Sequence, residues 1–223
     1  GALQINSGLH YVLGVPISTT AQVLIIVITT ILFLTSAVTG VTRGIKWLSN
    51  INLILAFVLM VTVFLIGPTV SVIDTFTTTL GSYASEFVRM SLRTTPFMDD
   101  SWIGSWTIFY WAWWIAWSPF VGLIIARVSR GRTIREFVLG TVLAPTFAGF
   151  LWFSVFGGTA LHMQIWDAVP LAEAVKADVS TALFVMFDAM PLGTLMSAVA
   201  TVLVLVFFVT SGDSATLVLG MMS

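Results

Sequence analysis

The apolar stretch from about Trp102 to Ile125 carries no charged residue, and its middle reads WTIFYWAWWIAWSPF, Trp106 to Phe120. A run of this length crosses a bilayer as a helix of roughly 20 residues. It holds Trp106, Trp111, Trp113, Trp114 and Trp117 beside Phe109, Tyr110 and Phe120. Membrane tryptophans ordinarily gather at the two interfaces, where the ring N–H reaches water or headgroups. Here several indole donors fall near mid-depth and need partners inside the protein or in a cavity. Two arrangements answer that need. One is a tightly packed aromatic helix contact. The other is an aromatic box whose ring faces attract a cation unable to shed its charge, such as a quaternary ammonium.

The rest of the chain has the same solvent. Of its 223 residues 58% are hydrophobic and 9% charged, and the mean hydropathy is +1.03. So few charges cannot cover a water-soluble domain of this size, which makes lipid the surrounding medium. The net charge of −1 gives no basis for binding nucleic acid. The absence of cysteine excludes disulfides, thiolate nucleophiles and Cys-based metal sites. No nucleophile–base pair or metal-ligand cluster stands out, so the sequence does not predict an enzyme. The chain opens on GALQIN without an initiator methionine and stops on GMMS within an apolar run. The expectation is an internal piece of a longer membrane protein.

Residues 1–13 read as the last turns of a helix, with Ser7 and Gly8 small as at a close helix contact. Gln4, Asn6 and His10 are its polar members, and Gly14 and Pro16 end it. Spans are expected at 19–41, 47–70, 102–126, 137–157 and 192–221, with a short basic loop at Arg43, Gly44 and Lys46. Residues 72–95 differ, because Asp74, Glu86, Arg89 and Arg93 alternate with apolar residues at three- and four-residue spacing. That pattern predicts an amphipathic helix lying on the membrane. Pro96, Asp99 and Asp100 mark a turn, with Asp100 or Ser101 as a helix cap. Residues 158–191 read as an extramembrane loop with short helices. Lys and Arg concentrate at 43–46 and at Arg127, Arg130, Arg132 and Arg135, which places both segments in the cytoplasm. Two spans separate them, so the parity is consistent. The arginine loop otherwise reads as a headgroup contact or as a salt bridge to Glu136. His10 and His162 make no metal or relay motif.

Along the aromatic helix Trp106, Tyr110, Trp113, Trp117, Phe120 and Ile124 share one stripe, with Trp114 beside it and Trp111 on the far side. Pro119 cannot donate to the Ile115 carbonyl, so a kink or opening is expected there, of the sort that lines a cavity in transporters.

The string WTIFYWAWWIAWSPFVGLIIARVSRGRTIREF resembles the signature region of the betaine/choline/carnitine transporter family, membrane carriers of quaternary-ammonium and related onium solutes. The resemblance implies an all-α polytopic fold with two inverted five-helix repeats. The chain would run from the end of the fifth family helix to the tenth, with 72–95 connecting the repeats. It implies that Trp113, Trp114 and Trp117 contact the solute, with Trp114 a wall of the cation–π box and Trp117 near the solute carboxylate. Trp111 and Phe109 match the outward approach and Phe120 the inward one. Phe207, Thr210 and Ser211 match a sodium site, Phe207 through its carbonyl and the other two through hydroxyls. The residues themselves allow a plainer reading, in which those hydroxyls bond back to their own helix. Asp213 is the one carboxylate deep in an apolar run, a functional candidate or a salt-bridged helix end.

The resulting expectation is a sodium-coupled importer of glycine betaine or a similar onium solute, working by alternating access in the plasma membrane. Its partners are the solute, Na⁺, lipid and, by the family habit, two further copies in a homotrimer. No cofactor is expected beyond Na⁺ as coupling ion. A sodium-independent exchanger of the carnitine/butyrobetaine type and a non-transporting receptor are the alternatives.

Overall fold

The structure, a computed structural model, describes residues 1–39, 42–97 and 101–222. Those residues are helical or irregular, without a strand. The helices are α1 (Ala2–Leu13), α2 (Thr19–Thr39), α3 (Thr42–Ile66), α4 (Thr69–Ser91), α5 (Phe109–Val128), α6 (Ile134–Ile165), α7 (Leu171–Ala177), α8 (Ala182–Asp188) and α9 (Gly193–Met222). A π-helical segment, Ile103–Ile108, leads into α5, and a single 3-10 turn, Val179–Thr181, leads into α8. Trp47–Ile66, Ile103–Arg127, Ile134–Ile165 and Gly193–Gly220 are long and apolar enough to cross a membrane. The chain divides into two compact units, residues 1–76 with 151–223, and residues 77–150.

In the first unit α9 is the central helix, packed against α1, α2, α3 and α8. Small residues set how closely it is approached. A Cβ on Gly8 would lie 2.1 Å from Thr201 Oγ1 and 2.9 Å from Phe184 Cζ. A Cβ on Gly212 would lie 2.7 Å from the Phe33 ring. Glycine at these two positions lets α1 and α2 reach α9. Gly14, at φ 72°, ends α1, and its N–H returns to His10 O. Asn6, fully buried, then fixes the following turn: its Nδ2 donates to Pro16 O at 3.2 Å and its Oδ1 accepts from Ser18 N at 3.2 Å. Gln4 and His10, by contrast, are exposed.

Several boundaries differ from the sequence expectation. The backbone of α3 begins at Thr42, so Arg43, Gly44 and Lys46 belong to its first turns and not to a loop. The side chains of Arg43 and Lys46, the end of the expected span at Val41, and Asp99 and Asp100 lie outside the described residues. α3 ends at Gly67–Pro68, and α4 starts three residues earlier than expected, because Thr69 Oγ1 caps the Phe64 carbonyl at 2.8 Å while Pro68 O accepts from Val72 N. α4 ends at Ser91 and not at residue 95, since Pro96 disfavours helix in the residue before it.

The largest correction concerns 137–157 and 158–191. α6 is 32 residues long, about 48 Å at 1.5 Å per residue, and carries Pro145 within it and His162 in its last turn. The segment after it carries the short helices the sequence suggests, α7 and α8, and part of it is packed into the protein. Phe184, Met186 and Phe187 are 1%, 2% and 0% exposed and form the middle of the first unit's core with Val63 and Met196. A hydrogen bond of 2.8 Å between Ser7 and Ser180 ties this segment to α1. Its apolar residues are too many to leave wet, and α1 and α9 offer them a face.

Within the second unit, the Tyr83 ring of α4 packs on Phe87 and on Phe150 of α6, at centroid distances of 5.4 and 5.0 Å. α6 opens with a capping box: Thr133 Oγ1 accepts from Glu136 N, and Glu136 Oε2 accepts from Thr133 N at 2.9 Å. The carboxylate is turned to this cap, and Glu136 makes no ion pair with an arginine among the described residues.

Candidate functional site

The aromatic helix gathers its rings as the spacing requires. Trp106 stacks on Tyr110 at 6.0 Å, Tyr110 meets Trp113 at 5.7 Å, and Trp117 stacks on Phe120 at 5.4 Å. Phe109 packs against both Tyr110 and Trp113. Tyr110, Trp113, Trp114 and Trp117, at positions i, i+3, i+4 and i+7, line a hollow of about 220 Å³. Trp111 is not among its walls, in keeping with its place on the opposite side of the helix. Phe120 sits at one end of the ring row and Phe109 beside it. The sequence placed Tyr110 on the stripe without giving it a role; its spacing from Trp113, Trp114 and Trp117 was the available signal.

The hollow is lined by one phenol ring and three indoles and by no charged residue. Its walls are open on one side: Trp113 is 52% exposed and Trp114 63%, and no described residue of α5 is buried. An uncharged aromatic wall attracts a weakly hydrated cation through the ring quadrupoles. It carries no fixed charge to repel a carboxylate on the same solute.

Pro119, where a kink or opening is expected, lies within unbroken helix. α5 continues through Pro119, and the carbonyl that proline leaves without an N–H partner, Ile115 O, accepts from Ser118 Oγ at 3.0 Å. The hydroxyl beside the proline repairs the ladder. The helix widens to π geometry at Ile103–Ile108, the segment that carries Trp106. Such segments occur often at functional sites.

α9 likewise runs without interruption through Thr210–Ser214. Phe207, Thr210 and Ser211 share one face at i, i+3 and i+4. Thr210 Oγ1 donates to Val206 O at 2.9 Å and to Phe207 O at 3.2 Å, and Ser214 Oγ to Thr210 O at 3.0 Å. The Thr210 hydroxyl therefore does bond back to its own helix. That does not exhaust it, because a donating hydroxyl keeps lone pairs for a cation. Ser211 is exposed and Asp213 half-buried, and Asp213 joins no ion pair among the described residues. The described residues hold no cluster of three His, Cys, Asp or Glu that could take a metal, so any cation here would rest on hydroxyl and carbonyl oxygens.

A chain of apolar membrane helices, with a charge-free aromatic wall on one and a hydroxyl face on another, has the features of a membrane carrier. Comparison with known proteins gives the family. The profile of the BCCT family, betaine/carnitine/choline family transporters, matches residues 1–223, and the chain belongs to that family. It is an integral membrane protein. It is 51% identical over 223 residues to the glycine betaine transporter OpuD of Bacillus subtilis, covering 99% of this chain and 43% of that one. It is 48% identical to the ectoine/hydroxyectoine transporter of Virgibacillus pantothenticus, covering 100% and 44%. It is 46% identical to glycine betaine transporter 1 of Vibrio parahaemolyticus, covering 98% and 42%. These relatives are transporters and not enzymes. The chain spans less than half the length of each of them.

Proposed function

We propose that this chain is the central part of a secondary transporter that imports glycine betaine or a similar quaternary-ammonium zwitterion, driven by Na⁺ and working by alternating access. The observation that carries the reading is the hollow on α5, walled by Tyr110, Trp113, Trp114 and Trp117 and free of charge. A desolvated cation on a ring face gains about 2 kcal/mol or more, so several rings offset much of the cost of dehydrating a bulky ammonium. Lysine and sodium are more strongly hydrated and gain less. The open side of the hollow is where the rest of a full-length protein would complete the box. Trp111 and Phe109 would then border the outward approach and Phe120 the inward one. Relatives named for glycine betaine and for ectoine support the solute class.

For sodium, Phe207 O, Thr210 Oγ1 and Ser211 Oγ supply hard oxygens from one face of α9. No Lys or Arg stands in residues 207–214 to replace the ion, which supports sodium coupling over a sodium-independent exchange. Assembly as a homotrimer belongs to the same reading.

The test is uptake of labelled glycine betaine by the full-length protein in proteoliposomes, under a sodium gradient and with sodium replaced by potassium. Trp114→Ala is expected to raise the half-saturating solute concentration more than tenfold and Trp114→Phe only a few-fold. Equal losses would make the ring a packing element. Uptake that is indifferent to sodium would remove the coupling.

A further inference from the structure

The walls of the aromatic hollow stand on the two sides of a weakened turn. Tyr110, Trp113 and Trp114 precede Ile115, whose carbonyl would bond to the N–H that Pro119 lacks. Trp117, the fourth wall, lies inside that turn and stacks on Phe120 just past the proline, at 5.4 Å. The Ser118 hydroxyl supplies the missing donor, at 3.0 Å from Ile115 O. Ser118 itself is not a wall of the hollow.

A hydroxyl beside a proline does not always do this. In α6, Thr146 follows Pro145, but Thr146 Oγ1 donates to Val142 O at 2.6 Å and not to the Thr141 carbonyl that Pro145 frees. In α5 the donor meets the freed carbonyl itself.

The bond bears on the shape of the hollow. Without a substitute donor, a proline helix bends, because the ring crowds the carbonyl four residues back and no N–H draws that carbonyl in. In apolar surroundings a bare carbonyl is costly, and a neighbouring Ser or Thr hydroxyl can satisfy it. A bend between Ile115 and Pro119 would swing Trp117 and Phe120 relative to the three rings before them. The gap between Trp114 and Trp117 therefore follows the bend.

We propose that Ser118 is a positioning residue: its bond to the Ile115 carbonyl holds α5 closed at Pro119 and so sets the spacing of Trp117 from Tyr110, Trp113 and Trp114 for the ammonium group of the solute. The consequence for the solute rests on the reading of the hollow given above; the bond does not.

The test is a mutant cycle in the full-length protein, reconstituted in proteoliposomes under a sodium gradient. It comprises Ser118→Ala, Ser118→Thr, Pro119→Ala and the double variant Ser118→Ala/Pro119→Ala, with Trp114→Ala alongside. Uptake of labelled glycine betaine gives the half-saturating concentration and the maximal rate per folded protein. Threonine can make the same bond to a carbonyl of the preceding turn, and Pro119→Ala restores the missing N–H. Ser118→Ala is expected to raise the half-saturating concentration about threefold or more while the maximal rate changes little, and Ser118→Thr should stay near the unaltered protein. Adding Ser118→Ala to the Pro119→Ala protein should leave half-saturation where Pro119→Ala alone puts it.

A fall in maximal rate without a shift in half-saturation makes Ser118 a folding residue only and overturns the proposal. An equal shift with and without Pro119 also overturns it, since the hydroxyl would then act on the solute directly. If Trp114→Ala raises half-saturation and Ser118→Ala does not, the hollow stands and the role of Ser118 falls. If Trp114→Ala leaves half-saturation unchanged, the hollow does not hold the solute, and both readings fall.

Discussion

At the scale of single residues, what is absent matters as much as what is present. Gly8 admits Thr201 and Phe184 to a distance no side chain would tolerate. Gly8→Ala is expected to destabilise the full-length protein by about 1–3 kcal/mol through overpacking, read as a lowered midpoint in thermal unfolding. Gly157 is also inside a helix but has no atom within 4 Å of its missing Cβ. Gly157→Ala should leave stability unchanged or raise it by up to about 1 kcal/mol, since glycine is a poor helix former. The sequence marked Gly8 as a point of close helix contact, but which residues it meets lies far along the chain and leaves no local sign. Asn6 is a similar case. Its polarity announced a need for partners, but the partners, Pro16 O and Ser18 N, appear only once α1 has turned back at Gly14.

At the scale of elements, hydroxyls decide whether a helix breaks. Proline in α5 and a run of Thr, Ser, Gly and Asp in α9 are residues that disturb a helix, and both helices continue through them. Ser118 covers the Ile115 carbonyl, and Thr210 and Ser214 bond to the turns before them. If Thr210 also ligates sodium, Thr210→Val, which keeps the shape and removes the oxygen, should raise the sodium needed for half-maximal uptake at least threefold, while Thr210→Ser should stay near wild type. Unchanged sodium dependence in Thr210→Val would leave only the back-bonding role. α6 shows the opposite error, an element longer than its apolar pattern. Thr133 and Glu136 start it with reciprocal bonds, and Thr133→Ala should cost about 1 kcal/mol, measurable as a lower unfolding midpoint.

At the scale of the molecule, the aromatic hollow poses a question of charge against shape. 3,3-Dimethylbutanoate has the outline of glycine betaine with carbon in place of the quaternary nitrogen. If the rings hold charge at about 2 kcal/mol, it should compete for uptake by the full-length protein about 30-fold more weakly than betaine itself. Equal competition would mean that the hollow selects only size. The four walls of that hollow lie within one helix, so their spacing alone brought them together, and the row Trp106, Tyr110, Trp113, Trp117 was legible before any coordinates. What completes the enclosure was not, since the rings are half exposed within this chain.

The sequence by itself determined that the chain lives in lipid, that it is helical, and which residues share a face of α5 or α9. Those properties follow from local periodicity and from the cost of leaving charge or bare backbone in hydrocarbon. Only the tertiary structure decided that α8 fills the core, that α6 outlasts its apolar stretch to bring His162 to Ser71, and that Gly212 is a contact point and Thr201 and Phe184 are what Gly8 meets. Each of these depends on pairs distant in sequence, whose meeting is set by packing and leaves no periodic mark in either partner.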